Sequence, residues 1–96
     1  LDGTMNFARH IPLFCISIAA LSGSQIETGV VYDPLLDELF VAERGHGAYL
    51  NGKRIHVSQV NEINRAVLAT GFPYTTGAIH DRIVQLSNFL EHANPI

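Results

Sequence analysis

Turn signals break the stretch from Leu13 to Val57 into short β-prone runs, and this punctuation constrains the fold more than any other feature. The runs are Leu13 to Leu21, Gln25 to Asp33, Glu38 to Arg44, Gly47 to Leu50 and Lys53 to Val57. The first is apolar and partly β-branched, and the second alternates around Ile26, Thr28, Val30 and Tyr32, as a strand with two unlike faces does. Between them stand Ser22-Gly23-Ser24, Asp33-Pro34, Gly45 and Asn51-Gly52. Pro34 fixes φ and offers no donor, so it marks a turn. Asn51-Gly52 is a strong signal for a two-residue hairpin, because both residues tolerate positive φ. A parallel pair needs a crossover of about a dozen residues, and these connections are too short. The chain from Leu13 to Val57 is therefore expected to be an antiparallel meander.

Beyond it the texture changes. Ser58 to Asn64 is polar and reads as a connector. Ala66 to Thr70 reads as a short apolar strand closed by Gly71-Phe72-Pro73. Ile79 to Leu90 reads as a helix, with Ile79, Ile83, Leu86 and Leu90 spaced by four, three and four. That stripe needs a surface to cover. It has no basic face, which argues against a role on a membrane surface. The fold class expected is α+β, an antiparallel meander leading into a strand–helix unit. Residues 1–57 and 58–96 are expected to be two parts of one larger domain.

Composition points the same way. A chain of 96 residues allows one domain at most. Its net charge of −3 and pI near 5.9 exclude a strongly basic nucleic-acid binder, and 47% hydrophobic residues argue against disorder. No apolar run approaches the roughly 20 residues of a membrane span. Charged residues are 16%, against about 25% in an ordinary soluble domain. A chain this short has more surface per unit volume and should need more charge. With Leu1 rather than Met at the start, an internal piece of a larger domain is expected. Cys15 is the one cysteine, so no intrachain disulfide forms. In the run Phe14 to Ile18 it reads as a small buried hydrophobe, and it fits a reducing, cytoplasmic compartment. The five histidines form no His-x-x-x-His pair and none adjoins the cysteine, which argues against a zinc site.

The chemistry lies at the start, in Leu1-Asp2-Gly3-Thr4-Met5-Asn6-Phe7. Asp2 is a hard carboxylate suited to Mg²⁺. Gly3 lets backbone approach a ligand closely. Gly3 and Thr4 can present N–H groups at the start of a short helix expected over Thr4 to Arg9, which suits a phosphate. The Thr4 hydroxyl is placed to orient a water. Carboxylate, glycine and hydroxyl in a row suit metal-assisted phosphate chemistry, although Asp-Gly-Thr alone is also a common turn. Elsewhere, Gly45-His46-Gly47 and Asn51-Gly52 read as hairpin chemistry rather than phosphate loops. Asp33, Asp37 and Glu38 fall at turns and read as solvated or structural.

Several further motifs stand in order along the chain. They are Asp2-Gly3-Thr4-x-Asn6-Phe7, His10-x-Pro12, Ser17-Ile18-Ala19, Gly29-Val30-Val31-Tyr32-Asp33-Pro34, Glu38-Leu39-Phe40-x-Ala42, and Gly45-x-Gly47-Ala48-x-Leu50-Asn51-Gly52. Together the chain resembles the inositol monophosphatase family over nearly its whole length. Leu68-Ala69-Thr70-Gly71-Phe72-Pro73 looks like the bacterial branch in particular. The resemblance implies a layered αβαβα sandwich of the sugar-phosphatase kind, of which this chain would be the middle. It implies Mg²⁺-dependent hydrolysis of inositol monophosphate or a related polyol or sugar phosphate, with histidinol phosphate or a nucleotide 3′-phosphate as alternatives within the family.

Carried over residue by residue, the Leu1 backbone carbonyl and the Asp2 carboxylate match metal ligands, and Asp2 also lies near the sugar hydroxyls. Gly3 and Thr4 match the pair whose N–H groups hold the phosphate, and the Thr4 hydroxyl matches the one that helps polarise the attacking water. Met5 stands where the family usually has a second Thr. The family's first motif aspartate would precede Leu1 by two positions, its metal-binding glutamate lies further upstream, and its Trp-Asp motif lies downstream. The resemblance also implies a homodimer and no covalent intermediate, while the charge balance and the helix's lack of a basic face lead to the expectation of no nucleic-acid or membrane partner for this segment. Gly71-Phe72-Pro73-Tyr74 is expected at a subunit contact in preference to a substrate cleft. A non-catalytic interaction module built on the meander is the reading from a different class. With so few metal ligands, the chain alone is expected to be inactive.

Overall fold

The structure is a computed structural model and describes residues 1–71, 77 and 79–92. The chain divides into two compact units, Leu1–Val57 and Ser58–Ile96. The first opens with a short helix, α1 (Thr4–Ala8), followed by β1 (Ile16–Ser22), β2 (Gln25–Asp33), β3 (Glu38–Glu43), β4 (Gly47–Leu50) and β5 (Lys53–Ile55). These form one sheet in the order β1-β2-β3-β4-β5, every neighbouring pair antiparallel. The expected meander is what forms: β2 and β4 have the expected bounds, β1 begins three residues later and ends one later, and β3 and β5 end one and two residues early.

The register explains the low charge content. Directly opposed residues share a face. Ile18, Val30, Val41 and Tyr49 run across one face, and Val31, Phe40 and Leu50 across the other. Both faces are thus apolar, as strands are when layers pack on each side. Among the described residues no side chain is buried, and Ile18 and Phe40 are 62% and 36% exposed. The sheet is held by its ladders and turns.

Two turns show how. Asn51 and Gly52 both have positive φ, 47° and 78°, as the tight β4–β5 hairpin requires. The Asn51 side chain also reaches back across the sheet: its Oδ1 accepts the Leu39 N–H at 2.8 Å and its Nδ2 donates to the Asp37 carbonyl at 3.0 Å. At the β2–β3 turn, Asp33 Oδ1 accepts the N–H groups of Leu35 and Leu36 at 2.9 and 3.1 Å, and Asp37 accepts the Tyr32 hydroxyl at 2.8 Å. Asp33 and Asp37 therefore serve the turn, as expected. The β1–β2 register shifts between Ala20 and Leu21, where β2 carries one extra residue, Glu27. Arg44 secures that bulge, its N–H donating to the Glu27 carbonyl at 2.8 Å and its guanidinium lying 3.6 Å from the Glu27 carboxylate.

Among its described residues the second unit contains a 3₁₀ turn, Ile63–Arg65, and the helix α2 (Ile79–His92). The helix runs two residues past its expected end, and the turn at Ile63 was not expected. The expected strand over Ala66 to Thr70 does not form. Ala66 is extended, with φ −81° and ψ 143°. An extended segment becomes a strand only when a partner satisfies its backbone, and no described residue of this unit supplies one. Phe72, Pro73 and Tyr74, expected at a subunit contact, lie outside the described residues. No helix among the described residues is long and apolar enough to cross a membrane.

Candidate functional site

Leu1, Asp2, Gly3 and Thr4 form a sharp turn into α1. Asp2 makes an isolated antiparallel bridge with Cys15. Its N–H donates to the Cys15 carbonyl at 2.8 Å, and the Cys15 N–H donates to the Asp2 carbonyl at 3.1 Å. The backbone of Asp2 is thereby pinned while its side chain stays exposed. Cys15 is only half-buried, because it lies at the open end of β1 rather than in a core.

Gly3 is the N-cap of α1, with φ 77° and ψ 34°. The left-handed conformation costs other residues about 1–2 kcal/mol. There is also no room for a side chain, since a Cβ would stand 2.7 Å from the Leu13 carbonyl oxygen and 3.0 Å from the Phe14 Cα. The glycine is thus required twice over, by conformation and by close approach. Thr4 is the first helical residue, and its side chain is exposed. The leading N–H groups of a helix have no carbonyl within it to bond.

Two contacts hold this turn against the segment that follows α1. Asn6 Nδ2 donates to the Leu13 carbonyl at 2.8 Å, and the rings of Phe7 and Phe14 meet edge to face at 5.1 Å. The sequence singled out Asn6 without a role for it, and read Cys15 as a small buried hydrophobe rather than as a partner of Asp2. The Cys15 contact is made by backbone alone, so no residue type betrays it.

The donor chemistry of Asp2 and of the Leu1 carbonyl fits a hard cation. Among the described residues, no group of three or more His, Cys, Asp or Glu side chains lies close enough together to hold a metal ion. Among the described residues Asp2 therefore has no set of companion side chains with which to hold a metal ion.

Comparison with known proteins decides the family. The model of the inositol monophosphatase family matches residues 1–93. The chain belongs to the inositol monophosphatase family. It is 49% identical over 74 residues to Nus factor SuhB of Escherichia coli (strain K12), which covers 77% of this chain and 28% of that protein. It is 45% identical over 74 residues to an inositol monophosphatase of Dictyostelium discoideum, covering 77% of this chain and 27% of the relative. The crystal structure of extragenic suppressor protein suhB from Bartonella henselae superposes with a TM-score of 0.88 at 41% identity, over 96% of this chain and 36% of that one. The chain therefore spans about 28% of the length of the curated relatives it matches first.

Proposed function

We propose that the full-length protein is a Mg²⁺-dependent phosphatase of the cytoplasm that hydrolyses inositol monophosphate or a related small polyol or sugar phosphate. The observation that carries this reading is the Asp2-Gly3-Thr4 turn, in which an exposed carboxylate, a glycine at φ 77° and an exposed hydroxyl follow one another. Family membership supports the reaction class. Asp2 and the Leu1 carbonyl are ligands to Mg²⁺, together with carboxylates from elsewhere in the full-length chain. When bound, Mg²⁺ supplies Lewis acidity, lowering the pKa of a water and neutralising charge on the phosphoryl oxygens.

The protein's own residues do the positioning. Gly3 and Thr4 donate backbone N–H groups to the phosphoryl oxygens. The Thr4 hydroxyl orients the attacking water in line with the leaving oxygen. Water adds at phosphorus, the ester P–O bond breaks, and the alcohol leaves with a proton as inorganic phosphate is released. No enzyme nucleophile takes part. Residues 1–57 and 58–96 belong to one larger domain of a homodimer.

A phosphate-release panel on the full-length protein tests this. Inositol monophosphate, a sugar phosphate, histidinol phosphate and a 3′-nucleotide are compared with Mg²⁺ and with a chelator. The expected outcome is Mg²⁺-dependent release led by inositol monophosphate. Release led by histidinol phosphate or the nucleotide moves the specificity within the family, and no Mg²⁺-dependent release from any of them overturns the reading. The 49% identity to a protein named Nus factor SuhB favours a second reading, a Nus-factor role carried by surface contacts rather than turnover. That reading predicts that Asp2→Asn keeps full function in a cell while turnover is lost.

A further inference from the structure

We infer that Asn6 is a positioning residue for the phosphate-binding turn, acting through the Leu13 carbonyl; the inference rests on the phosphatase reading above. Two residues of the turn bear on the Leu13 carbonyl oxygen. On one side the Asn6 side-chain amide donates to it at 2.8 Å. On the other it presses on Gly3 so closely that a Cβ there would stand 2.7 Å away. The oxygen is thus wedged between the residue whose N–H is offered to the phosphate and the side chain three residues on.

Other bonds make the wedge stiff. Asn6 is itself fixed through its carbonyl, which accepts the Ile11 N–H at 2.8 Å and the Arg9 N–H at 3.1 Å. Two residues beyond Leu13, the Asp2–Cys15 bridge closes the other end of the loop. Gly3 has no side chain with which to set its own orientation. Its flanking peptides are held by two backbone bonds, from Cys15 N–H to the Asp2 carbonyl at 3.1 Å and from Phe7 N–H to the Gly3 carbonyl at 2.9 Å, and the Asn6–Leu13 bond is the one side-chain hydrogen bond described there. Removing the Asn6 donor frees the Leu13 carbonyl to shift against Gly3, and the segment from Leu13 to Cys15, which is bonded to Asp2, no longer holds the turn in one position. Asn6 touches neither substrate nor metal in this account.

The test uses the full-length protein with Asn6→Ala and Asn6→Asp. Asp keeps the size of the side chain and replaces the donor by an oxygen that repels the Leu13 carbonyl. Both variants are expected to lose roughly 10- to 100-fold in kcat/KM, the range for removing a group that orients a binding residue. The inhibition constant for inorganic phosphate should rise in parallel, with the Mg²⁺ concentration for half-maximal activity moving less and the unfolding midpoint nearly kept. A residue that merely supports the fold would shift the midpoint and leave the constants of the folded fraction unchanged. Folded variants with unaltered kcat/KM and phosphate inhibition overturn the inference, and so does loss of folding in both. If the unsubstituted protein shows no Mg²⁺-dependent turnover, the phosphatase reading has failed instead, and the two failures are told apart by that control.

Discussion

Gly3 meets two structural demands at once, because its left-handed backbone and its contact with the Leu13 backbone both exclude a side chain. Gly3→Ala is expected to cost about 1–2 kcal/mol from the backbone alone, and more from the clash with a backbone oxygen that cannot swing aside. Urea unfolding of the full-length protein measures it, and an unchanged midpoint would show that the turn relaxes freely. Tyr32 offers a second check at this scale. Its hydrogen bond to Asp37, with desolvation and the neighbouring carboxylate charges adding to it, holds the phenol above its ordinary pKa. A raised folded-state pKa stabilises the fold at pH values below the unfolded phenol's titration range, and the contribution is lost as pH climbs through the raised value. The stability difference between the unsubstituted protein and Tyr32→Phe should therefore shrink at alkaline pH. A difference that stays constant across that range would remove the pair from the account.

Among the elements, the β4–β5 hairpin is the best specified. Asn51 supplies positive φ, accepts from Leu39 and donates to Asp37. Asn51→Ala removes two hydrogen bonds of roughly 0.5–1.5 kcal/mol each, and alanine fits the left-handed turn poorly. A loss of about 1–3 kcal/mol is expected, with amide exchange speeding up across Leu50 to Ile55 before it does in β1 and β2. Uniform acceleration across the sheet would mean that the hairpin does not open separately. The meander was legible in the sequence because hairpin registers are local, and a short turn between β-prone runs leaves the strands one way to pair. Ala66 to Thr70 was misread because its strand character depends on a partner that no local pattern reveals. The candidate site was half legible. Asp2, Gly3 and Thr4 announce themselves by type and order, whereas Cys15 and Leu13 act through backbone atoms that every residue carries.

For the whole molecule, the sheet presents apolar residues on both faces, and no described side chain is buried. The isolated 96-residue chain is expected to bind a hydrophobic dye strongly and to self-associate. A dye-silent monomer would contradict the exposure seen here. Among the described residues no companion carboxylates gather beside Asp2, which also predicts no Mg²⁺-dependent phosphate release by that isolated chain. Family membership and the 0.88 superposition agree on the fold, while relatives bear both a phosphatase name and a Nus-factor name. The distinction between those roles rests on the turn that Asp2 begins. The most direct measurement is phosphate release from inositol monophosphate by the full-length protein, with and without Mg²⁺, set beside folded Asp2→Asn. The account predicts Mg²⁺-dependent release that falls by on the order of 100-fold in the variant, about 2.7 kcal/mol at 1.36 kcal/mol per tenfold. Equal release by the two proteins, or release indifferent to Mg²⁺, would contradict it.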